Sequence, residues 1–409
     1  MKLLVVCPHF APDVAPTGDV MTAIVEQFAA LGHEVHVVTS LPWYLGHAID
    51  EGWDHKLTQT ERTPWGSITR LHPFPTDKAN IPARAVAFGG FTLLATLSSV
   101  VRRTRPDVVF TMSPPLILGF AGWLASLRWR APHVFNIQDV FPDVAIEVGA
   151  ITNPKVIKVA QALERFLYKR SAAVTVLSED LRDNLAHKLE GSNPQRVRVI
   201  PNFVDTGRIS VGDRDTSYRA ELGINDEVLV MYAGNLGYSQ SVELMIAAAR
   251  RFENRSDVVF VINGAGSAKA ALLESGSGLS NLRFVGLQPR ERLPEVLASA
   301  DIHTVLLKRG LARSSVPSKL YSILAAGRAV VASVDPGTEV ERAVRSAEAG
   351  LCVDPEDPEA FCAAVEQLLD DPQERLDMGV RGRAWVEKWA SPQAIAAQYV
   401  ALFEELIRT

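Results

Sequence analysis

Short apolar runs recur along the chain and alternate with segments whose apolar residues repeat every three or four positions. Such near-continuous runs indicate strands that are buried on both faces, as in a parallel sheet covered by helices. In the first half the predicted strands are residues 3–7, 35–40, 107–113, 133–139, 172–178 and 197–202. In the second half they are residues 228–233, 258–263, 282–286, 302–307, 329–334 and 351–354. The alternation predicts an α/β protein with two doubly wound domains.

A polar segment after the sixth predicted strand and the start of the last helix suggest where the domains begin and end. A strand ends near residue 202 and polar residues then become frequent, so we expect one domain over residues 1–203 and another over 204–390. Near the end of the chain, Ser391 suits an N-cap and Pro392 suits a first helical turn. We therefore expect a last helix over residues 391–409, packed on the first domain.

Composition agrees with a globular protein of this size. The chain has 409 residues, 47% hydrophobic and 22% charged, which excludes collagen, a coiled coil and wholesale disorder. Three cysteines, Cys7, Cys352 and Cys362, are too few and too far apart for a disulfide scaffold. We expect a protein of the reducing cytoplasm.

Charge is uneven along the chain. The net charge is −5, yet residues 62–130 carry nine Lys or Arg against two Asp or Glu. Within this stretch, residues 85–101 lie between Arg84 and Arg102, and residues 114–127 end at Arg128 and Arg130. Both segments are uncharged and apolar but short for crossing a bilayer. They either pack against the first sheet or make residues 85–127 a peripheral contact with the inner membrane face. Nucleic acid is not expected, because no groove-reading motif is present.

The clearest candidate chemistry follows the predicted strand 302–307. Two cations come directly after this strand, and a new helix begins nearby with Lys319 in its first turn. A lysine there opposes the helix dipole, but with free backbone N–H groups it can hold a phosphate. The alternative is a solvated loop with surface cations. The predicted phosphate site comprises Lys308, Arg309, Pro317, Ser318, Lys319 and Leu320.

Glycine-rich turns follow two other predicted strands of the second half. Glycine lets the backbone approach a ligand closely, although many ordinary turns also contain it. The residues concerned are Gly234, Asn235, Gly237, Gly264 and Gly266. Position 269 is a lysine, so the third glycine of a dinucleotide fingerprint is missing and NAD is not indicated.

In the first half, two turns after strands carry candidate residues. Thr17 and Gly18 begin the first helix, where Gly18 either lets a substrate lie close or is a plain turn glycine. Gln138 and Asp139 lie at a strand tip. The Asp139 carboxylate is a candidate base or acceptor for a sugar hydroxyl, or else the cap of the next helix.

No metal site is expected. Asp213 and Asp215 match the Asp-x-Asp pattern of metal-dependent sugar transferases, but they lie in a polar linker. No cluster of histidines and cysteines has the spacing of zinc ligands.

Taken in order, these residues resemble a bacterial glycosyltransferase of family 4. That family has the GT-B fold, in which two Rossmann-like domains face each other across a cleft. The motifs that carry the resemblance are residues 10–13, 16–18, 32–39, 138–139, 200–205, 234–237, 308–310, 316–320 and 326–327. The last set resembles the branch used for colanic acid, O-antigen and capsule assembly, which includes aminosugar transferases acting on lipid-linked acceptors.

The resemblance implies a retaining hexosyltransferase that needs no metal or other cofactor. It would move a sugar, of N-acetylhexosamine type, from a nucleotide-sugar, most simply a UDP-sugar, to a glycan or lipid-linked acceptor. The first domain would bind the acceptor through Thr17, Gly18 and Gln138, and the second would bind the donor. Asp139, Lys319 and Arg309 would be catalytic, the two cations stabilising the departing phosphate.

The sequence departs from the wider family in three places. The usual pair of glutamates falls on Ser314 and Ser322, so Glu339 is expected to contact the ribose or sugar hydroxyls instead. The usual arginine and lysine beside Gly234 fall on Asn235 and Gln240, and the usual histidine at the strand tip is Gln138. Two other functions therefore stay open: a UDP-sugar 2-epimerase of the same architecture, and a non-catalytic partner that binds nucleotide or glycan.

Overall fold

A computed structural model describes residues 1–44, 47–53, 56–76, 81–147, 151–189, 194–237, 239–310 and 319–408. The chain folds into two compact units. The first consists of Met1–Asn202 together with Ile395–Thr409, and the second of Phe203–Ala394. Each unit is a Rossmann-like α/β domain built on a sheet that is parallel in its core.

The first unit contains an eight-stranded sheet. Its strands are β1 (Lys2–Val6), β2 (Glu34–Ser40), β3 (Thr58–Thr63), β4 (Gly66–Leu71), β5 (Val108–Ser113), β6 (His133–Ile137), β7 (Ala173–Val176) and β8 (Val197–Val199). They lie in the order β3-β4-β2-β1-β5-β6-β7-β8. Only β3 runs antiparallel to its neighbour, and the other described pairs are parallel.

The described residues before the domain boundary form six α-helices. They are α1 (Pro16–Ala30), α2 (Ile81–Val100), α3 (Gly119–Trp129), α4 (Asp143–Glu147), α5 (Pro154–Arg170) and α6 (Glu179–Lys188). Local sequence sets several of their starts. The Asn153 side chain accepts the backbone N–H of Lys155 at 2.9 Å, and Ser178 accepts that of Leu181 at 3.2 Å. These caps satisfy donors that a helix leaves unpaired.

The second unit contains a six-stranded sheet. Its strands are β9 (Val228–Asn235), β10 (Val258–Ala265), β11 (Leu282–Val285), β12 (Ile302–Leu306), β13 (Ala329–Ser333) and β14 (Gly350–Val353). They lie in the order β11-β10-β9-β12-β13-β14, and all neighbouring pairs are parallel.

Helices cover this second sheet and end the chain. They are α7 (Ser217–Glu221), α8 (Glu243–Arg251), α9 (Lys269–Ser275), α10 (Leu293–Ser299), α11 (Lys319–Ala325), α12 (Glu339–Ala347), α13 (Pro358–Asp370), α14 (Pro372–Trp389) and α15 (Pro392–Arg408). Helix α15 contributes to the core of the first unit through Tyr399, whose ring lies 4.9 Å from that of Phe110. The Tyr399 hydroxyl also accepts a hydrogen bond from Asn136 Nδ2 at 2.8 Å.

The predicted strands are confirmed, and two more are present. All twelve apolar runs form strands, with ends that differ by a few residues. The strands β3 and β4 were not predicted. Every residue of β3 is polar and none is fully buried, because β3 lies at the edge of the sheet, so it has no apolar run to reveal it.

The Asp-x-Asp segment belongs to a network of ion pairs. Arg214 lies between its two aspartates and donates to Asp301 Oδ1 at 2.9 Å. Buried Arg219 donates to the other oxygen of Asp301 at 3.2 Å and to several backbone carbonyls. The segment therefore ties the start of the second unit to the residue before β12. Within the described residues, no group of three or more His, Cys, Asp or Glu side chains could hold a metal ion.

Candidate functional site

The order of the strands shows where each unit is expected to bind a ligand. Successive connections lead away in opposite directions on the two sides of β1 in the first sheet and of β9 in the second. In open α/β sheets, ligands bind at the carboxyl ends of the strands beside such a switch point. The residues that follow β1, β5, β9 and β12 are therefore the first candidates.

In the second unit, Lys319 lies at the carboxyl end of β9. It is the first residue of α11, and its Nζ is 4.1 Å from the centre of the Tyr232 ring. A side-chain carbon on Gly234 would be 3.0 Å from this nitrogen. Gly234 also has a φ of +147°, which other residues rarely adopt. The backbone conformation thus favours glycine here, and an added side chain would also make the Lys319 ammonium group shift by a few tenths of an ångström.

The Lys319 ammonium group has no anionic partner in the part of the chain that the structure describes. Burial lowers the pKa of Lys319 from 10.5 to about 8. A cation held out of water without a counterion is costly. The arrangement therefore favours binding of an anion beside Gly234.

A cavity of about 450 Å³ adjoins Lys319 within the second unit. Its lining includes Gly234, Asn263, Pro289 and Ser322. Asn263 is 4% exposed, and its Oδ1 has no hydrogen-bond partner among the described residues. A buried oxygen of this kind can accept an N–H or O–H from a ligand. Asn263 is not among the residues predicted from the sequence, where its only signal is a polar side chain inside an apolar strand.

Two of the candidate glycines are explained by strand packing. A side-chain carbon on Gly264 would be 2.0 Å from the carbonyl oxygen of Gly234. One on Gly266 would be 2.4 Å from the carbonyl oxygen of Leu236. We expected these glycines to make room for a ligand. In the structure, backbone of the same unit already fills the space beside both.

The two other residues of the first glycine turn stabilise the turn itself. The Gly237 N–H donates to Gln240 Oε1 at 3.0 Å, and a side-chain carbon on Gly237 would be 2.7 Å from Asn235 Nδ2. The Asn235 carbonyl accepts the Tyr232 hydroxyl at 2.7 Å. Asn235 is the last residue of β9 and its side chain is exposed, so it stays near the candidate site.

Lys308 and Arg309 do not line the cavity beside Lys319. Lys308 lines a second cavity of about 430 Å³ together with Ser241 and Arg250. The Arg309 guanidinium donates to the backbone oxygen of Pro355 at 3.2 Å. The predicted cluster of three cations is therefore divided, because the residues after β12 turn towards the segment that follows β14.

The other residues predicted to bind the donor differ in whether their side chains could reach a ligand. Leu320 was expected at the nucleotide-sugar, but its side chain is fully buried in the core, so only its backbone could reach a ligand. Glu339 begins α12 and accepts from Arg342 at 3.0 Å, so its carboxylate is already in an ion pair. Pro317 and Ser318 lie outside the described residues.

In the first unit, Asp139 and Gln138 follow β6. The Asp139 carboxylate has no hydrogen-bond partner among the described residues, and partial desolvation raises its pKa. It does not cap the next helix, because α4 begins only at Asp143. Gln138 Nε2 donates to Asn136 Oδ1 at 2.7 Å, which joins Gln138 to the contact between Asn136 and α15. Asp139 is thus available for a ligand, whereas Gln138 is partly engaged.

At the switch point of the first sheet, Gly18 makes room for a histidine. Thr17 and Gly18 lie in the first turn of α1, and Gly18 is buried. A side-chain carbon on Gly18 would be 3.0 Å from His9 Cβ. We expected this space to admit a substrate, and the structure places His9 there instead. The sequence analysis missed His9, although it follows β1 and precedes Asp13 by four residues.

The segment 85–127 is buried on one side and exposed on the other. Phe91 is 3% exposed and belongs to the core of the first unit. On α2 the exposed apolar residues repeat along one face, and α3 adds two more. These residues are Val86, Leu93 and Leu97 on α2, Val101 directly after its end, and Leu124 and Leu127 on α3. One described helix segment, Ala83–Val100, is long and apolar enough to cross a membrane, and 28% of it is buried.

Comparison with known proteins identifies both units. Residues 17–202 match the family model described as a glycosyl transferase 4-like domain. Residues 214–385 match the model for glycosyl transferases group 1. A relative from Escherichia coli K12, assigned to colanic acid biosynthesis as glycosyl transferase WcaI, is 29% identical. The alignment covers 98% of this chain and 99% of that protein.

Solved structures agree on the fold. The sucrose-phosphate synthase of Thermosynechococcus elongatus has a TM-score of 0.68 at 17% identity, with both chains covered completely. Anabaena HepE in complex with UDP has a TM-score of 0.69 at 14% identity, covering 99% of this chain and 100% of that one. HepE has also been solved with UDP-glucose, at a TM-score of 0.64. These neighbours are GT-B glycosyltransferases, so the predicted fold class is confirmed.

Proposed function

Because the chain belongs to the bacterial glycosyltransferases of family 4, we propose that it is a retaining hexosyltransferase that uses a UDP-sugar. The second unit would bind the donor, and the first unit would bind a glycan or lipid-linked acceptor. The product would enter a surface polysaccharide or a related glycoconjugate, as the similarity to WcaI suggests. An N-acetylhexosamine is the sugar that the resemblance in the last motifs favours.

The observation that carries this proposal is the buried ammonium group of Lys319, for which the described part of the chain offers no anionic partner. It lies at the carboxyl end of β9, at the switch point of its sheet and beside a cavity of about 450 Å³. Glycosyl transfer from a nucleotide-sugar breaks the bond between the anomeric carbon and a phosphate oxygen. The nucleoside diphosphate that leaves gains negative charge, and a fixed cation in a site with little water stabilises that charge.

The surroundings of Lys319 suit a nucleotide better than a bare phosphate. Asn263 offers an unpaired oxygen to a ligand N–H or hydroxyl, and Leu287 and Pro289 give the cavity an apolar wall. A nucleotide-sugar combines such groups with a diphosphate. HepE was solved with UDP and with UDP-glucose, which supports uridine as the base here.

We propose that the reaction retains the configuration at the anomeric carbon and needs no metal ion. Both features come from the family resemblance. In this chain, Lys319 would take the charge-neutralising role that a metal has in Asp-x-Asp enzymes. Arg214 of the Asp-x-Asp segment is already paired with Asp301, which gives that segment a structural role.

The test is an assay of transfer from radiolabelled UDP-N-acetylglucosamine and UDP-glucose to a membrane lipid extract and to simple glycosides, without added metal. A transferase gives a labelled product and releases UDP, and a retaining one gives that product the α-configuration of the donor. A 2-epimerase would instead convert the free UDP-sugar with no acceptor present. Saturable binding of UDP without turnover under any of these conditions would favour a non-catalytic binding partner.

We also propose that the protein works at the cytoplasmic face of the membrane, with the exposed side of α2 and α3 against anionic lipid. Both helices run opposite to the parallel strands, so their ends meet at the amino edge of the sheet. Four exposed arginines lie at this edge, in the last turn of α3 or shortly after the end of either helix: Arg103, Arg105, Arg128 and Arg130. No acidic residue occurs in residues 81–106 or 114–132. Apolar side chains flanked by cations fit the boundary between acyl chains and anionic headgroups.

A further inference from the structure

A histidine and an aspartate form a fixed pair just beyond β1 in the first unit. His9 Nδ1 lies 2.6 Å from Asp13 Oδ2. Asp13 is 2% exposed, and its other carboxylate oxygen accepts the backbone N–H groups of Trp43 and Tyr44 at 3.2 and 3.0 Å. Hydrogen bonds from the loop that follows β2 therefore fix the position of the carboxylate, and the carboxylate in turn orients the imidazole.

This pairing determines which nitrogen of His9 carries the proton. An ionised carboxylate can only accept hydrogen bonds, so Nδ1 must donate to Asp13. In the neutral ring, Nε2 is then the hydrogen-bond acceptor. Among the described residues no protein group pairs with Nε2, and the His9 side chain keeps 12% of its surface exposed. One oriented acceptor nitrogen is thus open to a ligand.

Packing holds the ring in this orientation. The Trp43 ring is stacked on His9 with centroids 5.9 Å apart, and the Tyr44 ring meets it edge-on at 5.1 Å. On the other side, Gly18 allows α1 to approach within contact of His9 Cβ. A ring fixed by a carboxylate, two aromatic rings and a helix has little freedom left to lose when a ligand binds.

His9 lies at the edge of the first sheet where a ligand is expected to bind. His9 follows β1, whose neighbours are β2 and β5, so it lies at the switch point of the first sheet. Asp139 follows β6, the strand next to β5, at the same carboxyl edge. Lys319 has the corresponding position in the second sheet.

We propose that His9 Nε2 accepts the hydrogen bond of a sugar hydroxyl and so fixes the acceptor substrate in the first unit. A hydroxyl is a group that an oriented imidazole nitrogen recognises, and the aromatic rings beside it suit the apolar face of a sugar. The inference rests on the proposed transferase function. It adds a binding residue to it: His9 contacts the substrate, and Asp13 positions His9.

A purely structural role for the pair predicts different behaviour, and one substitution separates the two roles. In His9→Asn, the shorter side chain keeps an amide N–H close to the position of Nδ1, so the bond to Asp13 can persist. The atom at the position of Nε2 is lost. If the pair only holds the loop, His9→Asn should behave like the wild type. If Nε2 binds the acceptor, the variant should stay folded and lose acceptor binding.

The direct test uses the full chain with histidine labelled with carbon-13 at Cε1, observed by NMR. The His9 signal is identified by its absence in His9→Asn. Methyl glucoside, galactoside, mannoside and N-acetylglucosaminide are titrated in, with glycerol as the control for nonspecific hydroxyl contact. We expect at least one glycoside to shift the His9 signal saturably and glycerol to leave it unchanged. No response to any glycoside, or an equal response to glycerol, overturns the proposal.

Enzyme kinetics separate this inference from the proposed function. In the transfer assay, His9→Asn should raise KM for the acceptor or lower kcat at least tenfold, while the Kd for UDP stays within about twofold of wild type. His187→Asn, on α6, is the matched control. Unchanged transfer in His9→Asn refutes the role of His9 but leaves the transferase intact. Absent UDP binding in the wild type refutes the transferase, and the glycoside titration then tests His9 by itself.

Discussion

The ammonium nitrogen of Lys319 lies 3.0 Å from the point where a side chain on Gly234 would begin. The two residues are far apart in the sequence and meet at the carboxyl end of β9. Gly234 leaves the space at the end of β9, and Lys319 fills it from the start of α11 with its charge above Tyr232. The cavity beside them then receives a cation that no described side chain neutralises.

Substituting Gly234 should therefore impair donor binding through Lys319. The added methyl of Gly234→Ala would crowd Nζ and would strain a backbone with φ of +147°. We expect the affinity for UDP to fall at least tenfold, about 1.4 kcal/mol, in a calorimetric titration.

The control for backbone strain is Gly278→Ala. Gly278 has a φ of +85° and nothing within 4 Å of the added carbon, so it isolates the conformational cost. It should lose some stability and keep wild-type UDP binding. Equal UDP binding in Gly234→Ala and wild type would show that this glycine does not shape a donor site.

Donor binding should depend on pH through Lys319. The ammonium form attracts the diphosphate, and burial lowers the pKa of this lysine to about 8 in the free protein. As the pH rises through that value, the free protein loses the proton that binding requires. We expect UDP affinity to fall by up to about tenfold per pH unit above about pH 8.

The matched variant for this pH dependence is Lys319→Arg, because a guanidinium group stays protonated over the whole range. Its UDP affinity should be nearly constant between about pH 7.5 and pH 9, where the charge of UDP is also constant. A wild-type affinity that is equally flat would separate Lys319 from the nucleotide phosphates.

Asp139 should matter for turnover and not for donor binding, because it belongs to the first unit. Asp139→Asn keeps the size of the side chain and removes its charge. We expect kcat to fall at least tenfold with the Kd for UDP unchanged, measured in the transfer assay and by calorimetry. Because the pKa of Asp139 is raised, the acid side of the wild-type pH profile should lie above the usual aspartate range.

The control for this substitution is Asp183→Asn on α6, where the carboxylate is exposed and paired with Arg182. It should leave kcat and the pH profile as they are. If Asp139→Asn does the same, the carboxylate at this strand tip takes no part in the reaction.

The exposed face of α2 should bind anionic vesicles. The full chain is expected to sediment with phosphatidylglycerol-containing liposomes at low salt, and less so at high salt, because part of the attraction is electrostatic. The double variant Leu93→Asp, Leu97→Asp should stay in the supernatant. Phe91 is unsuitable for this test, since it is buried in the core and an aspartate there would unfold the unit.

Leu376→Asp is the matched control, since Leu376 is as exposed as Leu93, at 60%, but lies in the second unit. It should sediment like the wild type. No sedimentation of the wild type, or equal sedimentation of the Leu93 and Leu97 variant, would contradict a membrane contact through α2.

The sequence predicts the two sheets well because strands buried on both faces are continuous apolar runs. The strand β3 was missed, since its residues Thr58–Thr63 are all polar at an edge. Lys319 and Gly234 could be predicted as candidates. Stability alone does not favour a lysine in the first turn of a helix or a glycine at the end of a strand. What fills the space beside a glycine could not be predicted. Neighbouring backbone fills it at Gly264 and Gly266.

The pairing of His9 with Asp13 shows a second limit. Asp13 comes four positions after His9, but the loop that fixes the carboxylate contains Trp43 and Tyr44, about thirty residues further along the chain. Only the fold brings that loop to the end of β1. For the same reason, the sequence could not show that Arg309 turns to Pro355 and away from Lys319.

The central claim is that Lys319, which has no anionic partner among the residues that the structure describes, is buried at a cost in stability in order to bind the donor diphosphate. The lowering of its pKa from 10.5 to about 8 corresponds to about 3 kcal/mol against the charged form. Replacing it with a neutral chain of similar length should therefore stabilise the fold and remove donor binding. Lys388→Met, which alters an exposed lysine that lies over Trp389, is the control.

The measurement we would make is a metal-free calorimetric titration of wild type, Lys319→Met and Lys388→Met with UDP, GDP, dTDP and ADP, alongside their thermal unfolding. We predict saturable binding of UDP to wild type and Lys388→Met, and no detectable binding to Lys319→Met together with a higher Tm. Wild-type UDP affinity in Lys319→Met, or a Tm that falls with the substitution, would contradict the claim.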